Sequence, residues 1–137
     1  MFFVDEHNRP LPGGTALKDP CSWGHEGIVA YVGTHQVMLH KPLSSGRPVM
    51  TSPSEFSNGK CKAVRTRTPQ SASEGAAIVQ RAWTEVQRGG TPWTVFDNCE
   101  DFVSRAYTGK GGSATRSFVL GLLALGGICA FAIGARS

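Results

Sequence analysis

The chain is poor in the features that most often betray a function. Its four cysteines, at positions 21, 61, 99 and 129, form no C-x-x-C pair, which argues against a zinc or dithiol redox motif. No metal site or cofactor fingerprint is read, and no internal repeat. No signal peptide is read either, because Met1-Phe2-Phe3-Val4 gives way at once to Asp5 and Glu6. With Cys129 inside an apolar run, the thiols are expected to be free and the compartment reducing. What is present is a chain of 137 residues, enough for one domain, with 40% hydrophobic residues to build a core. The net charge of +4 suits a membrane surface or an RNA backbone and specifies neither.

The C-terminal part gives the clearest organisation. Residues 118 to 135, FVLGLLALGGICAFAIGA, carry no charge. A helix of that length spans about 27 Å, close to a bilayer's hydrocarbon core. Phe118, Leu120, Leu123, Ile128 and Phe131 are the expected anchor residues, in preference to a buried core helix. Gly126, Ala130 and Gly134 form a small-residue ridge that could seat a second helix, so the tail permits homo-oligomerisation without specifying it. Lys110, Arg116 and Arg136 flank the run, and the slight basic excess ahead of it favours a cytosolic domain. Residues 109–117, GKGGSATRS, read as a linker. This leaves residues 1–108 as the folded domain.

Within that domain, 1–20 and 41–60 read as loops rich in Pro, Ser and Gly. Gly27–Val32 and Gln36–His40 read as a hairpin turning near Gly33-Thr34-His35. Cys61–Thr66 reads as a third strand and Thr94–Phe96 as a short fourth. Ser73–Val86 reads as a helix capped by Ser73 and stopped at Gly89-Gly90. A second helix is expected to start near Asn98, with Asp97 or Asn98 as N-cap and Phe102, Val103, Ala106 and Tyr107 on one face.

DNCEDFV, residues 97–103, therefore places Cys99 in the first turn of a helix. Exposed backbone N–H groups and the helix dipole favour a negative sulfur there, and a thiolate is a nucleophile. Of the four histidines, His7 and His35 are expected in solvent. His25 opens one hairpin strand and His40 closes the other, so the register makes them neighbours. A base on a strand end facing a thiol at a helix N-terminus is what a Cys–His hydrolase or transferase needs. Two hairpin histidines and a packed cysteine remain the plainer alternative.

HEGIVAYVG followed by VMLH resembles the H-box of the lecithin:retinol acyltransferase-like family, and DNCEDFVSRAYTGK resembles that family's NCEHFV block. The order of parts agrees over about residues 15–137. The resemblance implies an α+β class, with a circularly permuted papain-like (NlpC-type) fold, a small antiparallel sheet packed on helices, and an apolar C-terminal helix. It implies acyl transfer on phospholipids through a Cys thioester, with Cys99 as nucleophile, His25 as base and His40 orienting His25. Backbone N–H groups at Asn98 and Asp97 would hold the oxyanion. Three departures accompany it. Asp101 stands where the cellular enzymes usually have His. The first strand is two positions longer. Either His40 or Leu39 falls on the second-His position.

Short H-box/NC chains with an apolar C-terminus also resemble the 2A proteins of picornaviruses, closest to the kobuvirus type. That branch implies a protein that is not a proteinase and supports viral RNA replication and assembly on host membranes, at the cytosolic face of intracellular membranes. Viral replication proteins or host factors would be its partners, beside membrane lipid. Three readings stay open. One is a membrane-tethered 2A-type protein and another an active phospholipid acyltransferase or phospholipase. The third is a lapsed module binding RNA or protein, in which Lys60, Lys62, Arg65 and Arg67 touch phosphates. That cluster contains no aromatic residue for base stacking.

Overall fold

The computed structural model describes residues 2–20, 25–57, 62–89 and 98–109. It is an α+β fold around a five-stranded antiparallel sheet. The strands are β1 (Ala16–Asp19), β2 (His25–Val32), β3 (His35–His40), β4 (Val49–Thr51) and β5 (Val64–Arg67), in the order β4-β3-β2-β1-β5. The helices are α1 (Pro53–Ser57), α2 (Ala72–Arg88) and α3 (Cys99–Thr108).

The central strands are buried on both faces, which is why β2 reads as a nearly continuous apolar run. Alternation divides its side chains. Ile28 and Ala30, with Ala16 and Leu39, meet Ile78 and Ala82 of α2 and Phe102, Val103 and Ala106 of α3. On the opposite face Leu17, Val29 and Met38 pack against Phe3, Leu11 and Phe56. The β2–β3 hairpin turns at Gly33, whose φ of 62° suits a tight two-residue connection.

Both long helices begin and end on side-chain and backbone caps. Ser71, not Ser73, is the N-cap of α2, and its hydroxyl accepts from Glu74 N at 3.1 Å. The helix starts a residue before the expected span because Ser71-x-x-Glu74 already spells the cap signal. Gly89 closes it with a φ of 78°. Close packing fixes where α2 lies, since a Cβ on Gly75 would sit 2.4 Å from Gly13 O. Arg105 of α3 donates to Glu85 of α2 through Nε and Nη2, at 2.9 and 2.8 Å, and Arg81 Nε donates to Ala106 O at 2.6 Å.

Two segments read as loops contain regular elements. Residues 1–20 contain β1, an interior strand paired with β2 and β5. Residues 41–60 contain β4, paired with β3, and α1, whose Ser52 hydroxyl accepts from Glu55 N at 3.2 Å. Short ALKD and VMT have weak local preference, and partner strands organise them. Of the expected third strand, only its second half belongs to β5. Cys61, the Thr94–Phe96 strand, the linker beyond Gly109 and the apolar run 118–135 lie outside the described residues. Among the described residues no helix is long and apolar enough to cross a membrane.

Candidate active site

The hairpin register pairs Gly27 with His40, which places His25 diagonally beside His40 on the same face. The two rings touch, with His25 Nε2 and His40 Nδ1 2.6 Å apart. The other His40 nitrogen, Nε2, is 2.7 Å from Thr51 Oγ1 on β4. Phe56 of α1 closes over both rings, its centroid 5.2 Å from each. Gly27 makes room for that closure, because a Cβ there would lie 2.7 Å from Phe56 Cε1 and 3.1 Å from His40 Cβ.

Burial under Phe56 sets the charge state of the pair. Desolvation pulls His25 down to about 4, against the opposing pull of Asp19, which faces it across β1. Desolvation also pulls His40 down to about 3, and repulsion from His25 adds to it. Both rings are therefore neutral at pH 7. One nitrogen of the 2.6 Å contact donates and the other accepts.

Cys99 is buried at the start of α3. The α3 cap is complete. Asn98 Oδ1 accepts from Glu100 N at 3.0 Å and Asp101 N at 3.2 Å, and Asp101 Oδ2 accepts from Asn98 N at 3.2 Å. Asn98 is thus the N-cap, and Asp97 lies outside the described residues. Asp101 is used to close this cap. The Cys99 sulfur takes backbone hydrogen bonds from Glu26, the residue after His25, and from Glu100. Glu26 shares the α3 face of β2 with Ile28 and Ala30, whereas His25 lies on the Val29 face of the strand, against Phe56.

The balance at Cys99 differs from the expectation of a thiolate. Burial pushes its pKa up. Backbone hydrogen bonds from Glu26 and Glu100 favour the anion, while the carboxylates of the same two residues oppose it. At rest Cys99 is therefore a thiol. With Cys99 as the only cysteine retained, iodoacetamide labelling should be slow at pH 7. It should climb only above the ordinary thiol pKa of about 8.5. A labelling rate already on its plateau below pH 7 would show a preformed thiolate and contradict this arrangement.

The remaining expected residues do not join this cluster. His7 and His35 are exposed. Lys60 lies outside the described residues. Lys62, Arg65 and Arg67 are exposed, but Arg65 reaches Glu6 at 3.5 Å and Arg67 stacks over Tyr107 at 5.2 Å. Arg65 and Arg67 are thus each engaged with another residue of the chain. Among the described residues no group of three or more His, Cys, Asp or Glu is placed to hold a metal ion.

Four residues at the site escaped the sequence. Asp19 and Thr51 lie on strands read as loops, and Phe56 lies in a helix read as a loop. Glu26 was visible only as the neighbour of His25. It is buried, carries a pKa raised by desolvation, and lies 3.7 Å from Lys18 Nζ. The Ser52-x-x-Glu55 capping signal ahead of Phe56 was the one local clue to α1. Comparison with known proteins found no matching family model, curated protein or solved structure.

Proposed function

We propose that this chain is an H-box/NC protein of the lecithin:retinol acyltransferase-like kind. In this reading its sheet and helices are a circularly permuted papain-like arrangement, and Cys99, His25 and His40 form an acyl-transfer site. The observation that carries the reading is the part-buried 2.6 Å contact between His25 and His40, with a helix-start thiol that takes a backbone hydrogen bond from Glu26, the next residue of β2.

The chemistry follows from the protonation states. The Cys99 thiol attacks an ester carbonyl while His25 takes the thiol proton, because neither group is ionised beforehand. The C–O π bond opens to an oxyanion, held by N–H groups near the start of α3. Collapse breaks the ester C–O bond. His25 returns its proton to the leaving alcohol, and a Cys99 thioester remains. An incoming alcohol, amine or water then takes the acyl group, with His25 again moving the proton. His40 stabilises the transient imidazolium at His25. A tail in the bilayer would hold the site beside lipid esters and raise their effective concentration. The setting is that of a picornavirus 2A-type protein, acting in genome replication at host membranes.

One observation favours a second reading. The Glu26 and Glu100 carboxylates both oppose ionisation of Cys99, as a site retained for binding and no longer for chemistry would tolerate. The two readings separate in one experiment. The full-length chain is incubated with phosphatidylcholine vesicles and analysed by intact mass. The acyl-transfer reading expects a hydroxylamine-labile acyl adduct on Cys99, absent from Cys99→Ala and reduced at least about tenfold in His25→Ala. No adduct on the native chain would leave a binding scaffold.

A further inference from the structure

His25, His40 and Thr51 form a diagonal row across three strands. His40 pairs with Gly27 on one side and Val49 on the other, and His25 and Thr51 each stand two residues from those partners. The row is a continuous chain of contacts: His25 Nε2 to His40 Nδ1 at 2.6 Å, then His40 Nε2 to Thr51 Oγ1 at 2.7 Å.

A neutral imidazole carries one N–H, so the row admits only two proton patterns. In the first, His25 Nε2–H donates to His40 Nδ1, and His40 Nε2–H donates to Thr51 Oγ1. In the second, the Thr51 hydroxyl donates to His40 Nε2, and His40 Nδ1–H donates to His25 Nε2. The first places both rings in the Nε2–H tautomer, which neutral histidine intrinsically prefers. It leaves the lone pair of His25 on Nδ1. The second places both rings in the less favoured form and points the lone pair of His25 at His40, where it can accept no proton from a thiol. The two patterns also differ once His25 is charged. In the first, His25 Nε2–H still has a lone pair to donate to. In the second, two N–H groups would face each other.

We propose that Thr51 is a positioning residue which, by accepting the Nε2–H of His40, holds both imidazoles in the Nε2–H tautomer and keeps the basic lone pair of His25 on Nδ1. The consequence for catalysis rests on the acyl-transfer reading; the tautomers do not. The relay ends on a three-residue strand at the sheet edge. The proton acceptor of the site is therefore set by an element far from Cys99 in sequence.

The test is long-range 1H–15N correlation of the histidine rings in the full-length, 15N-histidine-labelled chain at pH 7. The expected pattern is a pyridine-like Nδ1 and a pyrrole-like Nε2 in both His25 and His40. In Thr51→Val, which keeps the shape and removes the hydroxyl, both rings should shift toward the Nδ1–H form. Acylation of Cys99 should fall by roughly 10- to 100-fold, as when an orienting partner is lost. Thr51→Ser should restore the ring pattern and the rate. An Nδ1–H pattern in the native chain overturns the proposal even if Thr51→Val does not fold. Rings unmoved by Thr51→Val, or an acylation rate unmoved by a completed tautomer shift, also overturn it. A native chain with the expected tautomers and no acylation supports the relay and sinks the acyl-transfer reading instead.

Discussion

Acidification from pH 7 to pH 4 is expected to remove about 3–5 kcal/mol of folding stability, a large share of the 5–15 kcal/mol typical of a small domain. The cause is the neutral histidine pair. Within the fold His25 titrates at about 4 and His40 at about 3, each held down chiefly by desolvation. Released into water, each returns to about 6.5. Between those limits the unfolded chain binds protons that the native chain refuses, so stability falls as the pH drops through the window and is flat above it. At about 1.4 kcal/mol per unit, two rings displaced by more than two units outweigh a carboxylate that works the other way among the described residues. That group is Glu26, whose raised pKa makes the native state bind its proton first and adds stability on acidification. Denaturant midpoints at pH 7, 5.5 and 4.5 measure the slope. A double His25→Gln, His40→Gln variant should flatten it. Equal midpoints across the series in the native chain would mean that the folded protein takes up protons on both rings as readily as the unfolded chain does, and burial under Phe56 would not be what holds them neutral.

The same pair shows what the sequence discloses and what it does not. The β2–β3 hairpin is legible because β-branched and apolar residues run unbroken from Ile28 to Val32 and a glycine follows at the turn. Once the hairpin is read, its register brings His25 to His40. The two helices are legible because their apolar residues recur at helical spacing and their ends carry Ser, Asn and Gly. Strand β1 is not legible. Four residues, Ala-Leu-Lys-Asp, carry no β preference worth the name, and its place inside the sheet comes from partners on both sides. Strand β4 and helix α1 hide in a Ser- and Pro-rich stretch for the same reason. Thr51, Phe56 and Asp19 were therefore invisible as site residues, although each lies on the His25–His40 face. Cys99 adds a different lesson. Its place at a helix start follows from local spacing and predicts an anion. Its ionisation follows from burial and from the carboxylates of Glu26 and Glu100, and the charge of Glu26 reaches it only through the fold.

Phe56→Ala tests whether one side chain couples the core to the site. Phe56 is 3% exposed and packs edge-on to Phe3 at 6.1 Å, as well as against both imidazoles. Removing a buried phenyl ring costs about 3–5 kcal/mol at neutral pH, through lost burial and the cavity left behind. The cavity would open beside His25 and His40, and water admitted there would weaken the desolvation that keeps both rings neutral. Their pKa values should rise toward 6.5, and the native state would then accept protons almost as readily as the unfolded chain. The variant is therefore expected to be less stable at pH 7 and to lose less on going to pH 4.5 than the native protein loses. Phe56→Leu, which keeps most of the volume, should be milder on both counts. A Phe56→Ala protein that is weakened at pH 7 yet keeps the full acid slope would show that the sheet and Met38 dehydrate the histidines unaided. Phe56 would then be a core residue with no hold on the chemistry. If both quantities move together, the short helix α1 acts as the lid of the histidine pair, and Gly27 lacks a side chain because the ring above it needs the space.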